Sequence, residues 1–269
     1  MRIIAEAPYR VDLAGGTLDI WPLYLFHPGA ATVNFAINRH TRCAIETLGG
    51  PEIRVRSNDL DAAENFRSLA ELDRTARPRL PLAAHLLRFF RPGTGLAMRT
   101  DSEAPAGVRR VAIPVDLDDF NRRIVLCYTG APPNSGINNW EVAKAYIDGE
   151  RKIQRNFEHI ASIASSMRVA VKKGDWTEAG RLLREEWSHR RKNAPGISTP
   201  VIDRLIALAR RAGSLGAKVC GAGGGGCVFF LVERGAQATV SRAVANAGGV
   251  ILPVQVAARG VTIRTGRGI

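Results

Sequence analysis

The tightest constraint on this chain is Gly221-Ala222-Gly223-Gly224-Gly225-Gly226, six residues of which five are glycine. Glycine loses more conformational freedom on folding than any other residue and has no side chain to bury. The run is therefore a poor core element. It suits a place where the backbone turns through positive φ or comes close to a ligand, and successive N–H groups in such a turn can form an anion-binding nest. A flexible connection between two elements is the competing reading. Lys218 stands shortly before the run, and Cys227-Val228-Phe229-Phe230-Leu231-Val232 after it reads as a strand.

Two glycine motifs fail on context. Gly221, Gly223 and Gly226 satisfy G-x-G-x-x-G literally, but dinucleotide binding needs a strand before the glycines and a helix after them. The pattern here predicts the inverse, a helix before and a strand after. The Walker loop ends in Gly-Lys-Ser/Thr, and Gly226-Cys227-Val228 offers neither the lysine nor the hydroxyl.

At 269 residues, 45% hydrophobic and 23% charged, the chain is long enough for a sizeable core. Its four cysteines, Cys43, Cys127, Cys220 and Cys227, form no C-x-x-C pair, so neither a zinc site nor a disulfide framework is signalled. No apolar run is long enough to span a bilayer, and the N-terminus lacks the apolar stretch of a signal peptide. These features predict a cytoplasmic protein with reduced thiols, no bound structural metal and no membrane partner. The net charge of +13 favours anionic partners, either nucleic acid or phosphorylated small molecules. The basic residues are dispersed, however, in pairs such as Arg122-Arg123 and Arg210-Arg211 that fit solvated faces.

The first sixty residues read mainly as a β-meander: strands over Ile3–Ala7 (interrupted by Pro8), Arg10–Leu13, Ala30–Ala36, Arg42–Thr47 and Glu52–Arg56, with a turn at Asn38-Arg39. Arg10, Asp12 and Asp19 around the turn Ala14-Gly15-Gly16-Thr17-Leu18-Asp19 look more like a polar pocket than a core; an ordinary hairpin with surface charges is the alternative. Pro81–Phe90 predicts a helix with Leu82, His85-Leu86 and Phe89 on one face. Leu96–Thr100, Val111–Val115 and Ile124–Tyr128 predict strands. The second half is helical. Ile153, Phe157, Ile160, Ala164, Met167 and Val171 form one face of a helix over Arg151–Lys172, which Gly174 ends. Asp175 with Glu178 reads as a capping box for a helix burying Trp176, Ala179, Leu183 and Trp187. Thr199-Pro200 starts a third helix facing Val201, Leu205 and Leu208 inward, with Gly213 as its stop. His159 and His189 fall within helices and read as surface or packing residues rather than ligands. A helix Ala236–Ala247 and a strand Val250–Ala257 close an α+β pattern.

Two motifs at opposite ends of the chain carry a resemblance. Lys218-Val219-Cys220-Gly221-Ala222-Gly223-Gly224-Gly225-Gly226-Cys227 resembles the C-terminal signature of the GHMP kinases, the family of galactokinase, homoserine kinase and mevalonate kinase. Ala7-Pro8-Tyr9-Arg10-Val11-Asp12-Leu13-Ala14-Gly15-Gly16-Thr17-Leu18-Asp19 is similar to the family's first motif, an A-P-x-R strand leading to a glycine turn and an aspartate. The double glycine after Ala14, Cys127-Tyr128-Thr129-Gly130 and Asn134-Ser135-Gly136 further resemble the branch acting on heptose 7-phosphate. The resemblance implies an α+β fold, with an N-terminal ribosomal-protein-like α/β domain over residues 1–120 and a C-terminal ferredoxin-like domain over 121–269. It implies ATP and Mg2+ as cofactors and a sugar or sugar phosphate as the small-molecule partner, with no nucleic acid; a homodimer is compatible with it. Arg10 would stand by the transferred phosphoryl group, where a fixed cation stabilises developing charge. Asp19 would accept hydrogen bonds from sugar hydroxyls, seconded by Thr17, Asp12 and Gly16. Gly221, Ala222, Gly223, Gly224, Gly225 and Gly226 would line the cleft, with Lys218 supporting the loop.

One departure from the family is large. The central motif P-x-x-x-G-L-G-S-S, whose loop and helix N-terminus bind the ATP phosphates, is not found. Ser102-Glu103-Ala104-Pro105-Ala106-Gly107 begins the approach to it, and Val108-Arg109-Arg110-Val111 then resembles a later strand. The family's catalytic aspartate is missing with it, and Asp116, Asp118 and Asp119 stand in the wrong context to replace it. Either the chain is a true deletion or a parent protein carries a segment that this sequence omits. The second reading is favoured, because burying one large side chain is worth about 1.5–3 kcal/mol and losing a whole helix would exceed a typical stability of about 5–15 kcal/mol. A sugar kinase is thus the leading expectation. A catalytically inactive sugar-binding protein and a basic RNA-binding protein are the alternatives.

Overall fold

The computed structural model describes residues 1–16, 18, 23–27, 29, 31–101, 115–132, 135–257 and 259–266. In order, the chain forms β1 (Arg2–Ala14), a 3-10 turn (Leu23–Phe26), β2 (Val33–Thr47), β3 (Ile53–Ser57), β4 (Ala62–Phe66), α1 (Leu69–Arg74), α2 (Pro81–Phe90) and β5 (Leu96–Asp101). Then come α3 (Leu117–Asn121), β6 (Ile124–Tyr128), α4 (Ser135–Ile147), α5 (Arg151–Lys173), α6 (Trp176–Arg190) and α7 (Pro200–Arg211). The last elements are β7 (Ser214–Val219), β8 (Cys227–Val232), α8 (Gln237–Asn246), β9 (Val250–Leu252) and β10 (Thr262–Gly266). The fold is α+β, as the sequence predicts.

The chain divides into two compact units, one formed by Met1–Tyr9, Ala36–Val108 and Ala257–Ile269, the other by Arg10–Phe35 and Arg109–Val256. The first is built on a six-stranded sheet in the order β10-β1-β2-β5-β3-β4, with β3 and β5 parallel. Alternation along its strands separates two faces. Ile53, Val55, Leu96 and Met98 face a core completed by Leu72 of α1 and by Ala83, Ala84 and Leu87 of α2. Arg54, Arg56, Ala97 and Arg99 take the other face by the same alternation. α1 is capped at Ser68, which accepts from the Glu71 N–H, while Glu71 Oε2 accepts from the Arg67 N–H.

The second unit carries a four-stranded antiparallel sheet, β7-β8-β6-β9. Its core joins Val125, Val228 and Phe230 of the sheet with Phe157 and Ile160 of α5, Trp187 of α6, Leu205 of α7 and Val240 of α8. The apolar face expected of α5 is buried at all six positions, and Gly174 ends the helix at φ 69°. Asp175 caps α6 through the Glu178 N–H. The reciprocal half of that capping box is absent, because the Glu178 carboxylate is turned to Arg181.

Several expectations need correction. β1 runs unbroken through Pro8, because its ladder with β10 covers Arg2 to Glu6 and asks no N–H of the proline. β2 is one strand, with no turn at Asn38-Arg39. β4, α1, α3, α4, β7 and β10 are additional elements. α2 has the expected limits but another inner face: Ala83, Ala84 and Leu87 are buried, while Leu82 and Phe89 are 75% and 80% exposed. In α7, Ile202 and Ala209 are buried with Leu205, whereas Val201 is exposed and Leu208 half-buried. β9 stops at Leu252. The Gly107-Val108 junction and residues 111–114 of the expected strand lie outside the described residues.

Candidate active site

The glycine run is a hairpin loop. β7 precedes it and β8 follows it, in antiparallel register with Val219 opposite Val228, and the Cys220 N–H extends the ladder to the Cys227 carbonyl at 2.7 Å. The helix expected directly before the loop is therefore replaced by a strand. The dinucleotide reading still fails, because a strand rather than a helix follows.

The loop needs its glycines for two reasons. Gly221, Gly223, Gly224 and Gly226 all have positive φ, between 75° and 91°. Neighbouring backbone also comes too close for side chains. A Cβ on Gly223 would lie 2.4 Å from the Ile197 carbonyl oxygen, and one on Gly225 would lie 2.3 Å from that of Pro132. Backbone hydrogen bonds hold the loop: Gly224 N–H donates to Ile197 O (3.0 Å), Gly226 N–H to Ala131 O (2.7 Å), and Thr129 N–H to Gly226 O (2.9 Å). The loop is clasped, not floppy. The segment Cys127–Gly130 and the turn after it form one side of the clasp.

Beneath the loop lies a buried ionic cluster. Lys218 is 1% exposed and places Nζ 2.6 Å from Oε1 of Glu186, which is fully buried. Arg190, one turn along α6, approaches the same oxygen at 3.9 Å and donates through Nη2 to the Gly221 carbonyl. Glu186 Oε2 and Arg190 Nη1 are buried without a hydrogen-bond partner among the described residues. Burial lowers the Lys218 pKa, and the facing Glu186 carboxylate opposes that shift. Lys218 thus supports the loop, as expected, by tying β7 to α6. Glu186 and Arg190 escaped the sequence reading. Their signal was present: with Ala179, Leu183 and Trp187 they fall on the inward stripe of α6, where a charge needs a partner.

The first motif contributes to the same unit. Arg10 and Asp12 sit two apart on β1 and so share a face, while Val11 and Leu13 are buried on the other. Arg10 Nε is 2.9 Å from Asp12 Oδ1, with the two side chains 23% and 16% exposed. The Asp12 charge is felt by both Lys218 and Cys220, acting to raise the pKa of each. Arg10–Asp12 and the base of the glycine hairpin are therefore neighbours. A Cβ on Gly16 would stand 2.4 Å from Asp12 Oδ2 and press the Asp12 side chain out of place. Gly15 turns at φ 80°, and its carbonyl accepts from Leu18 N–H and from Thr32 Oγ1. Thr17 and Asp19 lie outside the described residues.

The remaining candidates have structural roles. Asp116 caps α3, accepting from the N–H groups of Asp118 and Asp119. Asp119 accepts from Arg123 Nε at 2.8 Å and Trp176 Nε1 at 2.7 Å. His159, which is exposed, stacks on His189 with centroids 4.5 Å apart, in line with the surface or packing role expected of them. Among the described residues, no cluster of three or more His, Cys, Asp or Glu could hold a metal ion, and no helix is long and apolar enough to cross a membrane. Cys127 is buried, and burial first, then the nearby Cys227, pushes its thiol up to about 11. The site thus offers a shape-fixed glycine hairpin and a cation held in orientation by a carboxylate. That equipment can position an anionic group and stabilise charge developing on it.

Known proteins resemble this chain in part of its sequence and in its fold. Residues 167–250 match the family model described as GHMP kinases C terminal. A mevalonate kinase of Thermococcus onnurineus is 33% identical over 156 residues, covering 52% of this chain and 42% of that protein. One from Methanocaldococcus jannaschii is 55% identical over 38 residues, 14% of this chain and 12% of that protein. The match thus spans well under two thirds of these relatives. In fold, the chain is similar to a D-glycero-D-manno-heptose 1-phosphate kinase from Bacteroides thetaiotaomicron, with TM-score 0.71 and 19% identity over 99% of this chain and 100% of that one. A galactokinase of Lactococcus lactis complexed with galactose gives TM-score 0.72 at 16% identity over 97% and 95% of the two chains. Residues 167–250 thus match the C-terminal domain of the GHMP kinases, and the fold of the chain is similar to that of the solved kinases.

Proposed function

We propose that this protein transfers a phosphoryl group from ATP to a hydroxyl of a small molecule, a sugar or sugar phosphate, with heptose 7-phosphate the first candidate. The observation that carries the reading is the neighbourhood of the Arg10–Asp12 pair and the anchored glycine hairpin within one unit. Phosphoryl transfer needs mainly positioning and charge stabilisation, and both are supplied by such parts. Arg10 stabilises negative charge on the moving phosphoryl group, and Asp12 fixes the guanidinium in place. Gly221–Gly226 form a wall that admits the acceptor closely because it has no side chains. Asp19 and Thr17 are assigned to the acceptor hydroxyls on the motif alone. Mg2+ accompanies ATP in this reading, and no described residue is assigned to hold it.

The test is a coupled ADP-release assay on the full chain with ATP, Mg2+ and a panel of heptose 7-phosphate, galactose and mevalonate. Turnover with a sugar phosphate, and its loss by about a hundredfold or more in Arg10→Gln, supports the proposal. A second reading is favoured by the missing P-x-x-x-G-L-G-S-S segment: a sugar-binding protein without kinase activity. Calorimetric titration separates the two. Sugar binding with no ATP binding and no turnover would replace the kinase reading.

A further inference from the structure

The face of the six-stranded sheet turned away from α1 and α2 carries a cavity of about 390 Å³ lined by Arg2, Arg54, Arg56 and Arg99, with Glu46 the one acidic residue on its wall. Strand register arranges it in two rows. Ala44, Arg99, Arg56 and Ala63 lie side by side across β2, β5, β3 and β4, and Glu46, Ala97, Arg54 and Asn65 form the next row. Alanine on three strands leaves a low floor, with guanidinium groups standing around it. Arg56 and Arg99 are direct cross-strand neighbours, an arrangement of like charges that disfavours the sheet unless something lies between them. Arg54 pairs with Glu52 at 2.7 Å and Arg56 reaches Asp61 at 3.5 Å, both toward the rim. Arg2 and Arg99 have no ion-pair partner among the described residues.

We propose that this cavity binds a small anion carrying two or more phosphate groups, at a site that shares no residue with the glycine hairpin. All four cations are arginine, whose planar fork matches phosphate oxygens in pairs. A cavity of this size falls in the range of small-molecule sites. Acidic residues also flank the cavity. Asp101 follows Arg99 on β5, Asp59 and Asp61 follow Arg56, Glu52 precedes Arg54, and Arg42 is taken by Glu6. A nucleic-acid strand needs a continuous basic track and gains from aromatic platforms. Among the described residues these acids interrupt such a track and no Phe, Tyr or Trp lines the cavity, so a compact oligophosphate is the favoured ligand.

The experiment is calorimetric titration of the full chain with sodium tripolyphosphate at low salt, in an Arg10→Gln background so that the glycine-hairpin site is impaired. One saturable site is expected, weakened about tenfold or more by Arg56→Gln with Arg99→Gln. Arg67→Gln with Arg74→Gln removes the same charge from the same unit and is expected to leave affinity within about twofold. These side chains are exposed, and melting curves verify that each variant is folded. Absence of binding would overturn the proposal. So would equal losses in both double variants, which would make the effect one of net charge. A labelled single-stranded RNA that bound more tightly than tripolyphosphate, and through Arg56 and Arg99, would replace it with a polymer-binding surface.

Discussion

Two groups of basic residues in this protein obey opposite rules. Under the glycine hairpin, Lys218 and Arg190 are buried and share one acid, Glu186. On the open sheet face, Arg2 and Arg99 stand in solvent with no acid of their own among the described residues, and Arg99 faces Arg56. Burying a charge costs several kcal/mol unless a partner compensates, so the first group had to be built as a closed set. Water screens the second group, and the fold tolerates its repulsion. The buried set spends its charge on holding a loop still, whereas the exposed set has charge left over for a ligand. Position decides which cations are structural and which are available.

The largest expected effect comes from breaking the closed set. Glu186→Gln leaves Lys218 and Arg190 buried with no acid between them. A loss of about 3–5 kcal/mol in urea unfolding is expected, the range for removing one partner of a buried pair. A cost under about 1 kcal/mol, the size of a surface ion pair, would erase the contrast between the two groups.

Next come the glycines above that set. Gly221→Ala meets open space, so its cost is that of positive φ alone, about 1–2 kcal/mol. Gly223→Ala adds a collision with the Ile197 carbonyl oxygen at 2.4 Å. It is expected to lower the melting temperature further than Gly221→Ala, and to reduce turnover by displacing the loop from Ile197. Equal melting temperatures for the two variants would show that the loop is not clasped. On the sheet face the expectation reverses: Arg56→Gln with Arg99→Gln relieves a repulsion, and the melting temperature without ligand does not fall.

How much of this was legible in the sequence follows the same division. Local pattern gave α5 and its six buried positions, because an apolar stripe at helical spacing needs no distant partner. It gave the ends of α2 but not its inner face, where the small side chains of Ala83 and Ala84 sit closest to the sheet while the larger Leu82 and Phe89 remain outside. It missed β7, whose Ser-Leu-Gly-Ala-Lys-Val holds a glycine and a lysine unlike any ordinary buried strand. Lys218 is buried only because Glu186 waits for it on α6, a pairing across 32 residues that no short window contains. Gly16, Asp12 and the glycine run were legible as motifs. Their clasp by Ala131 and Ile197 was not, since both act through backbone carbonyls, which every residue has.

The smallest effect concerns a pair between the two extremes. Asp119 is 18% exposed and accepts from both Arg123 and Trp176. The hydrogen bond from Arg123, with Trp176 helping, holds its pKa below the ordinary aspartate value of 3.8. A carboxyl depressed in the folded state contributes stability above its unfolded pKa, and that contribution is lost as pH falls through the folded one. Stability from Asp119 is therefore constant near neutrality and fades below about pH 4. Asp119→Asn is expected to flatten the acid limb of a melting-temperature profile below that pH, while lowering the neutral plateau by about 1 kcal/mol or less, the surface-pair range for a group this exposed. If the variant keeps the full acid limb, the Asp119 carboxylate is not held by Arg123. If its plateau falls by several kcal/mol, as in Glu186→Gln, this partly buried pair belongs with the buried set, and exposure is not what separates the two kinds of cation.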